Sequence, residues 1–113
     1  MDTALYPEAT PEIAQKREQL AHETLTAWRA FSRQAFADGA LPSKTKELIA
    51  VAVAHVTQCP YCIRFHTKGA RAKGASENEI MEAIWVAAEM RAGAAVAHSA
   101  LAIDAMKESA PSK

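Results

Sequence analysis

The chain is short of most of what a β-protein or a membrane protein needs. Over 113 residues there are four glycines, five prolines and 6% aromatics, too few turn formers for an all-β sandwich. No apolar run approaches the length of a bilayer-spanning helix, and the N-terminus lacks a basic start and a signal-like apolar block. Net charge is absent too, with thirteen basic residues against thirteen acidic. Nothing in that balance calls for a nucleic-acid partner, and it gives weak protection against self-association. Cysteine is limited to two residues. What the chain does have is alanine, 26 of them, in a composition that is 50% hydrophobic. Alanine heads the helix scale. The expectation is a soluble, cytoplasmic, all-α protein of one domain, 1–113, with no membrane and no nucleic-acid partner.

Prolines and glycines punctuate the helices. Residues 1–11 read as an N-terminal arm, with Thr10 or Pro11 as a cap. Ile13, Leu20, Leu25, Trp28, Phe31 and Phe36 recur at threes and fours, which predicts one long amphipathic helix from Glu12 to about Ala37. Asp38-Gly39 ends it, and Ser43 caps a second helix over Lys44–Thr57. The interior of that helix, Leu48–Ala54, is apolar on every side. Such a helix must be buried all round, which a chain this small achieves most economically through subunit contacts. Cys59-Pro60 opens a third helix that stops at Gly74. Ser76 and Glu79 form a capping box for a fourth helix, running to about Met90. Gly93 separates or kinks that helix from an Ala-rich fifth, ending near Lys107 and followed by a frayed tail over 108–113. Trp28, Phe31, Phe65 and Trp85 read as core or subunit contacts, and His22 and His98 as surface or packing residues.

Chemistry concentrates in Cys59-Pro-Tyr-Cys62-Ile-Arg-Phe-His66. Pro60 suits a first helical position, making Cys59 the N-cap and placing both sulfurs in the positive field of a helix N-terminus, which favours thiolate. His66 follows Cys62 by one turn on the same face, so its imidazole can take the Cys62 proton. Cys62 is therefore read as the nucleophile. Cys59 is placed to condense with a Cys62 sulfenic acid, although the reverse assignment fits the spacing as well. Glu47 lies in the first turn of the second helix, and a carboxylate on its inward face needs a partner. His66 is a suitable one, because a carboxylate orients an imidazole and strengthens it as a base. A rival reading takes His55, Cys59, Cys62 and His66 as a structural zinc set, although all four fall within one helix junction. Another rival is a redox-sensing protein whose disulfide alters assembly without turnover.

Glu47 followed by Cys59-x-x-Cys62-x-x-x-His66 resembles the signature of the AhpD-like alkyl hydroperoxidase group of the carboxymuconolactone decarboxylase-like superfamily. The likeness continues through Thr67-Lys68, Lys73–Ser76, Glu79-Ile80 and Met90–Gly93, covering roughly residues 40–105. It implies a compact all-helical domain of about five helices assembled as a homo-oligomer, a trimer or hexamer. The implied activity is a peroxidase without haem, metal or other cofactor. The same resemblance assigns the sulfenic acid to Cys62 and proton donation and disulfide formation to Cys59. Glu47 and His66 form its proton relay, and a dithiol or lipoyl-bearing protein supplies its electrons. The chain departs from the pattern at Tyr61, where well-characterised members carry a second histidine; a tyrosine is a poor base near neutral pH.

Overall fold

Thr10 accepts the Ile13 N–H through its hydroxyl, and Pro11 follows in the first turn. These two start α1 (Pro11–Leu20) and with it the ordered helical part of the chain. The computed structural model describes residues 5–109. The remaining elements are α2 (His22–Phe36), α3 (Ser43–Thr57), α4 (Pro60–Ala72) and α5 (Glu77–Glu108). Among the described residues the fold is all-α, with no strand. Among the described residues no helix is long and apolar enough to cross a membrane. Of the expected arm and tail, residues 1–4 and 110–113 lie outside the described residues.

The chain divides after Ser43 into two compact units. In the first, the single helix expected over Glu12–Ala37 is broken at Ala21, whose backbone sits at φ −151°, ψ 53°. Neither proline nor glycine marks the break. It is stabilised on both sides: Ala21 N–H donates to Arg17 and its carbonyl accepts from Leu25. Glu18 spans the corner, receiving Arg29 Nη1 at 2.9 Å and facing His22 Nδ1 at 2.5 Å. No residue of α1 or α2 is buried. Trp28 and Phe31 stack on each other, ring centres 5.7 Å apart, and both remain mostly exposed. These two are therefore not core residues of the chain, contrary to the first of their two expected roles.

The second unit holds the core. Val51 on α3, Ala70 on α4, Ala75 in the following turn and Ile80 on α5 form a buried cluster, with Leu48 and Ile84 packed against it. Local chemistry sets the helix ends around it. Residue α3 begins with is Ser43 itself, whose N–H donates to the Asp38 carboxylate at 2.6 Å; the orphan amide is satisfied by Asp38 where Ser43 was expected to be the cap. The end of α4 is a Schellman motif: Ala75 N–H reaches the Ala70 carbonyl, Gly74 N–H the Arg71 carbonyl, and Gly74 takes φ 93°. The Ser76–Glu79 capping box is formed in both directions. Glu79 also meets Lys44 Nζ at 2.9 Å, tying the start of α5 to α3.

One expectation about these helices changes. Gly93 does not separate two helices, because α5 runs unbroken from Glu77 to Glu108. One glycine costs a helix about 1 kcal/mol, and the surrounding alanines carry the backbone through it. Within the chain, α3 is buried on one side only. Glu47, Val51 and Ala54 face the core, while Ile49, Val53 and Val56, offset around the same helix, are about half exposed.

Candidate active site

The turn between α3 and α4 is built around Gln58 and Cys59. Gln58 lies in the left-handed region, φ 56°, which for a residue with a side chain costs about 1–2 kcal/mol. That conformation lets the Cys59 N–H return to the Ala54 carbonyl at 3.2 Å, closing α3. Cys59 thus ends one helix and begins the next: as the N-cap of α4 its sulfur accepts the Cys62 N–H at 3.3 Å, with Pro60 in the first turn. Both cysteines are free thiols and partly accessible.

Their acidities diverge. The side-chain hydrogen bond from Cys62 is the main influence holding the Cys59 thiol below its ordinary value, followed by the backbone N–H of Cys62; the N–H of Tyr61 adds a little against a small burial cost. Cys62 moves the other way, raised first by that same hydrogen bond, then by burial and by the charge of Cys59. Cys59 is therefore the more acidic of the two sulfurs. The spacing alone leaves the order of the pair open. The divergence comes first from the hydrogen bond between the two thiols, which lowers one and raises the other, and then from the Cys62 amide that caps Cys59.

Glu47 and His66, nineteen residues apart in sequence, meet where α3 packs on α4. His66 Nδ1 lies 2.7 Å from Glu47 Oε1, and both side chains are largely buried, at 12% and 18% exposure. The carboxylate can only accept in its ionised form, so Nδ1 carries the hydrogen and the basic lone pair of a neutral ring is at Nε2. Phe65 stands edge-on to the His66 ring, centres 5.0 Å apart. Its own surface is 70% exposed, so Phe65, like the equally uncovered Trp85, is no core residue. Tyr61 is also on the surface.

The four expected site residues thus fall into two contacting pairs, Cys59 with Cys62 and Glu47 with His66, all in the second unit. His55 does not join them. Its Nδ1 is 2.7 Å from the Val51 carbonyl, and its ring lines a shallow groove with Gln58, Ile84, Ala87, Ala88 and Arg91. Among the described residues no three His, Cys, Asp or Glu side chains are grouped to hold a metal, so the zinc reading of His55, Cys59, Cys62 and His66 finds no support in the geometry. His22 and His98 are exposed, at a distance in the chain from this chemistry. Sequence reasoning passed over Gly69, against which the Glu47 carboxylate packs so closely that a Cβ there would lie 2.8–2.9 Å from it. The available signal was a glycine in the interior of a helix, where it costs stability without a turn to justify it.

Relatives share this architecture. Uncharacterised protein 4 of the cox locus of Paracoccus denitrificans is 65% identical over 82 residues, 73% of this chain and 74% of its own length. The crystal structure of a carboxymuconolactone decarboxylase family protein from Legionella pneumophila superposes with a TM-score of 0.68 at 35% identity, covering 86% of this chain and 87% of that one. A Thermotoga maritima member of the same family, with a suggested antioxidative role, gives 0.57 at 28% identity over 75% of this chain and 88% of its own. The family profile itself, described as Carboxymuconolactone decarboxylase family, matches residues 22–105, most of α2 through α5. On that match, and on the fold and helix junction it spans, the chain belongs to the carboxymuconolactone decarboxylase family.

Proposed function

We propose that the protein is a thiol-dependent peroxidase and disulfide reductase of the AhpD-like type, reducing organic hydroperoxides through Cys59 and Cys62 in antioxidant defence. The observation that carries this reading is a pair of free thiols at the start of α4, the Cys59 sulfur accepting the Cys62 N–H, one helical turn before a His66 ring held by Glu47. The suggested antioxidative role of the Thermotoga maritima relative points the same way.

Cys59 is the more acidic of the two sulfurs, and the pair ionises there first, leaving Cys62 the thiol. Moving the Cys62 proton to Cys59 places the charge on Cys62, whose sulfur attacks the distal peroxide oxygen. A sulfur–oxygen bond forms, the oxygen–oxygen bond breaks, and the departing alkoxide takes the proton from Cys59 to leave as alcohol. The Cys59 thiolate then attacks the Cys62 sulfenic acid, forming the disulfide. The hydroxide released takes a proton delivered through His66, which Glu47 orients. A dithiol or lipoyl-bearing donor protein returns the two electrons by thiol–disulfide exchange. No cofactor is required by this sequence of steps.

Assembly as a homo-oligomer, a trimer or hexamer, belongs to the same proposal. It is supported by the uncovered face of α3 at Ile49, Val53 and Val56, and by α5, where every residue from Ala94 to Glu108 is exposed. An Ala-rich helix draws most of its stability from packing. The proposed setting is the cytoplasm, where free thiols persist.

Native mass spectrometry of the reduced protein before and after an organic hydroperoxide tests the reading, with dithiol-supported turnover measured in parallel. The expected result is a metal-free oligomer losing about 2 Da per chain, sustained peroxide consumption, and loss of consumption in Cys62→Ser. Turnover retained in Cys62→Ser removes Cys62 as nucleophile. A disulfide formed once without turnover replaces the enzyme with a redox-sensing protein, and about 63 Da of extra mass before treatment indicates zinc.

A further inference from the structure

Gly69 lies inside α4, three residues beyond His66 and therefore one turn along on the same side of the helix. Its backbone has none of the positive φ that distinguishes Gly74, so no turn requires a glycine there. In a helix interior it is a worse residue than alanine. Yet a Cβ at this position would stand 2.8 Å from Glu47 Oε2, 2.9 Å from Cδ and 2.9 Å from Oε1. All three heavy atoms of the carboxylate thus lie against the bare Cα. Side-chain carbons do not approach other atoms so closely, so any larger residue displaces the carboxylate. That same carboxylate holds His66 Nδ1 at 2.7 Å.

We infer that Gly69 is a positioning residue: its missing side chain is the notch on α4 that seats the Glu47 carboxylate and thereby sets the His66 ring. The inference deepens the proposed relay and rests on it for its consequence in catalysis, but its geometric content is independent of any peroxidase activity. A clash at this point is relieved cheaply, since the carboxylate is the far end of a flexible side chain. Gly69→Ala should therefore keep the fold and its melting temperature, or raise it through better helix propensity, while the Glu47–His66 contact is lost. A notch that served only helix packing would behave in the opposite way, losing stability and leaving the imidazole alone.

The experiment follows the His66 ring nitrogens by 15N NMR in the wild type, Gly69→Ala, Glu47→Gln and the double variant, together with Cys62 alkylation against pH. In Gly69→Ala the imidazole signals should move away from the wild-type pattern towards those of a ring without its carboxylate partner. Cys62 alkylation near neutral pH should slow by up to about tenfold, one pK unit. Adding Glu47→Gln should cost little more, as expected when both changes act through one contact. Unchanged His66 signals in a folded Gly69→Ala protein overturn the inference, whether or not the protein reduces peroxides. Altered His66 signals in a protein that consumes no peroxide support the inference and overturn only the proposed function. Should Gly69→Ala fail to fold, E47D/G69A, which withdraws the carboxylate by one methylene, carries the test. Recovery of the fold with a hydrogen-bonded His66 ring supports the notch, and failure to recover overturns it.

Discussion

Cys62 donates its backbone N–H to the sulfur of Cys59 at 3.3 Å, so the residue whose thiol does most to make Cys59 acidic also closes its cap and adds to the effect. An N-cap is ordinarily an oxygen from Ser, Thr, Asp or Asn. A sulfur in that position does the same structural work best as an anion, because an ionised acceptor makes the stronger hydrogen bond. The capping contact thus serves helix stability and thiol acidity together.

The first consequence concerns the order of ionisation. Differential alkylation of the reduced protein against pH, read by peptide mass spectrometry, should label Cys59 at lower pH than Cys62. Replacing Cys62 by alanine removes the strongest influence on Cys59 and should move its labelling profile upwards. Because the folded-state value of Cys59 is depressed, its ionisation favours the fold. That contribution is fully present above the unfolded-state thiol value and is lost as pH falls through the folded one. Cys62 labelled ahead of Cys59 would refute this order of acidity.

Glu47 offers a second test. Its carboxylate and the His66 ring are largely buried together, and Glu47→Gln keeps the shape while removing the charge. An amide oxygen can still accept from Nδ1, so the fold should lose no more than about 1 kcal/mol, the net worth of an ordinary hydrogen bond. The chemistry should lose more. Without the anion, His66 is a poorer proton acceptor, so the Cys62 alkylation profile should shift to higher pH. Dithiol-supported peroxide turnover should fall by about 10–100-fold, within the range of lost general-base assistance. A Cys62 profile that does not move would take Glu47 out of the relay.

How far the sequence could be read depended on whether the deciding interaction is local. Cys59 with Pro60, Gly74, and Ser76 with Glu79 each carry their helix boundary within three or four residues, and all three boundaries stand where the residues put them. Ala21 gives no such signal. Its break is set by Glu18 gathering His22 and Arg29 from α2, an arrangement that periodicity does not register. Gly93 erred in the other direction, since a glycine permits a helix break without requiring one. The Glu47–His66 contact was accessible because a carboxylate on an apolar inward face needs a partner. The acidity order of the cysteines was not, since it turns on the hydrogen bond between the two thiols and on the amide that caps Cys59. The exposed positions of Trp28, Phe31, Phe65 and Trp85 reflect a related limit. An apolar periodicity identifies a face to be covered and leaves open whether the cover comes from the same chain.

Gly93 and Gly69 both lie inside helices without needing a glycine's backbone freedom, yet they should answer an alanine differently. At Gly93 the nearest atom to an added Cβ is Glu89 Oε1 at 3.4 Å, with the rest of that carboxylate at 3.9 Å, ordinary contact distances. The methyl group therefore fits, and the substitution narrows the unfolded ensemble and improves helix propensity together. The expected gain is about 0.4–1 kcal/mol. Calorimetry at fixed protein concentration should show a rise in melting temperature of a few degrees, given about 4–8 °C per kcal/mol for domains near this size. A fall instead would mean that the space beside Gly93 is taken by something outside this chain. On a helix whose C-terminal half is uncovered, that would place a close helix–helix approach of the assembly at Gly93.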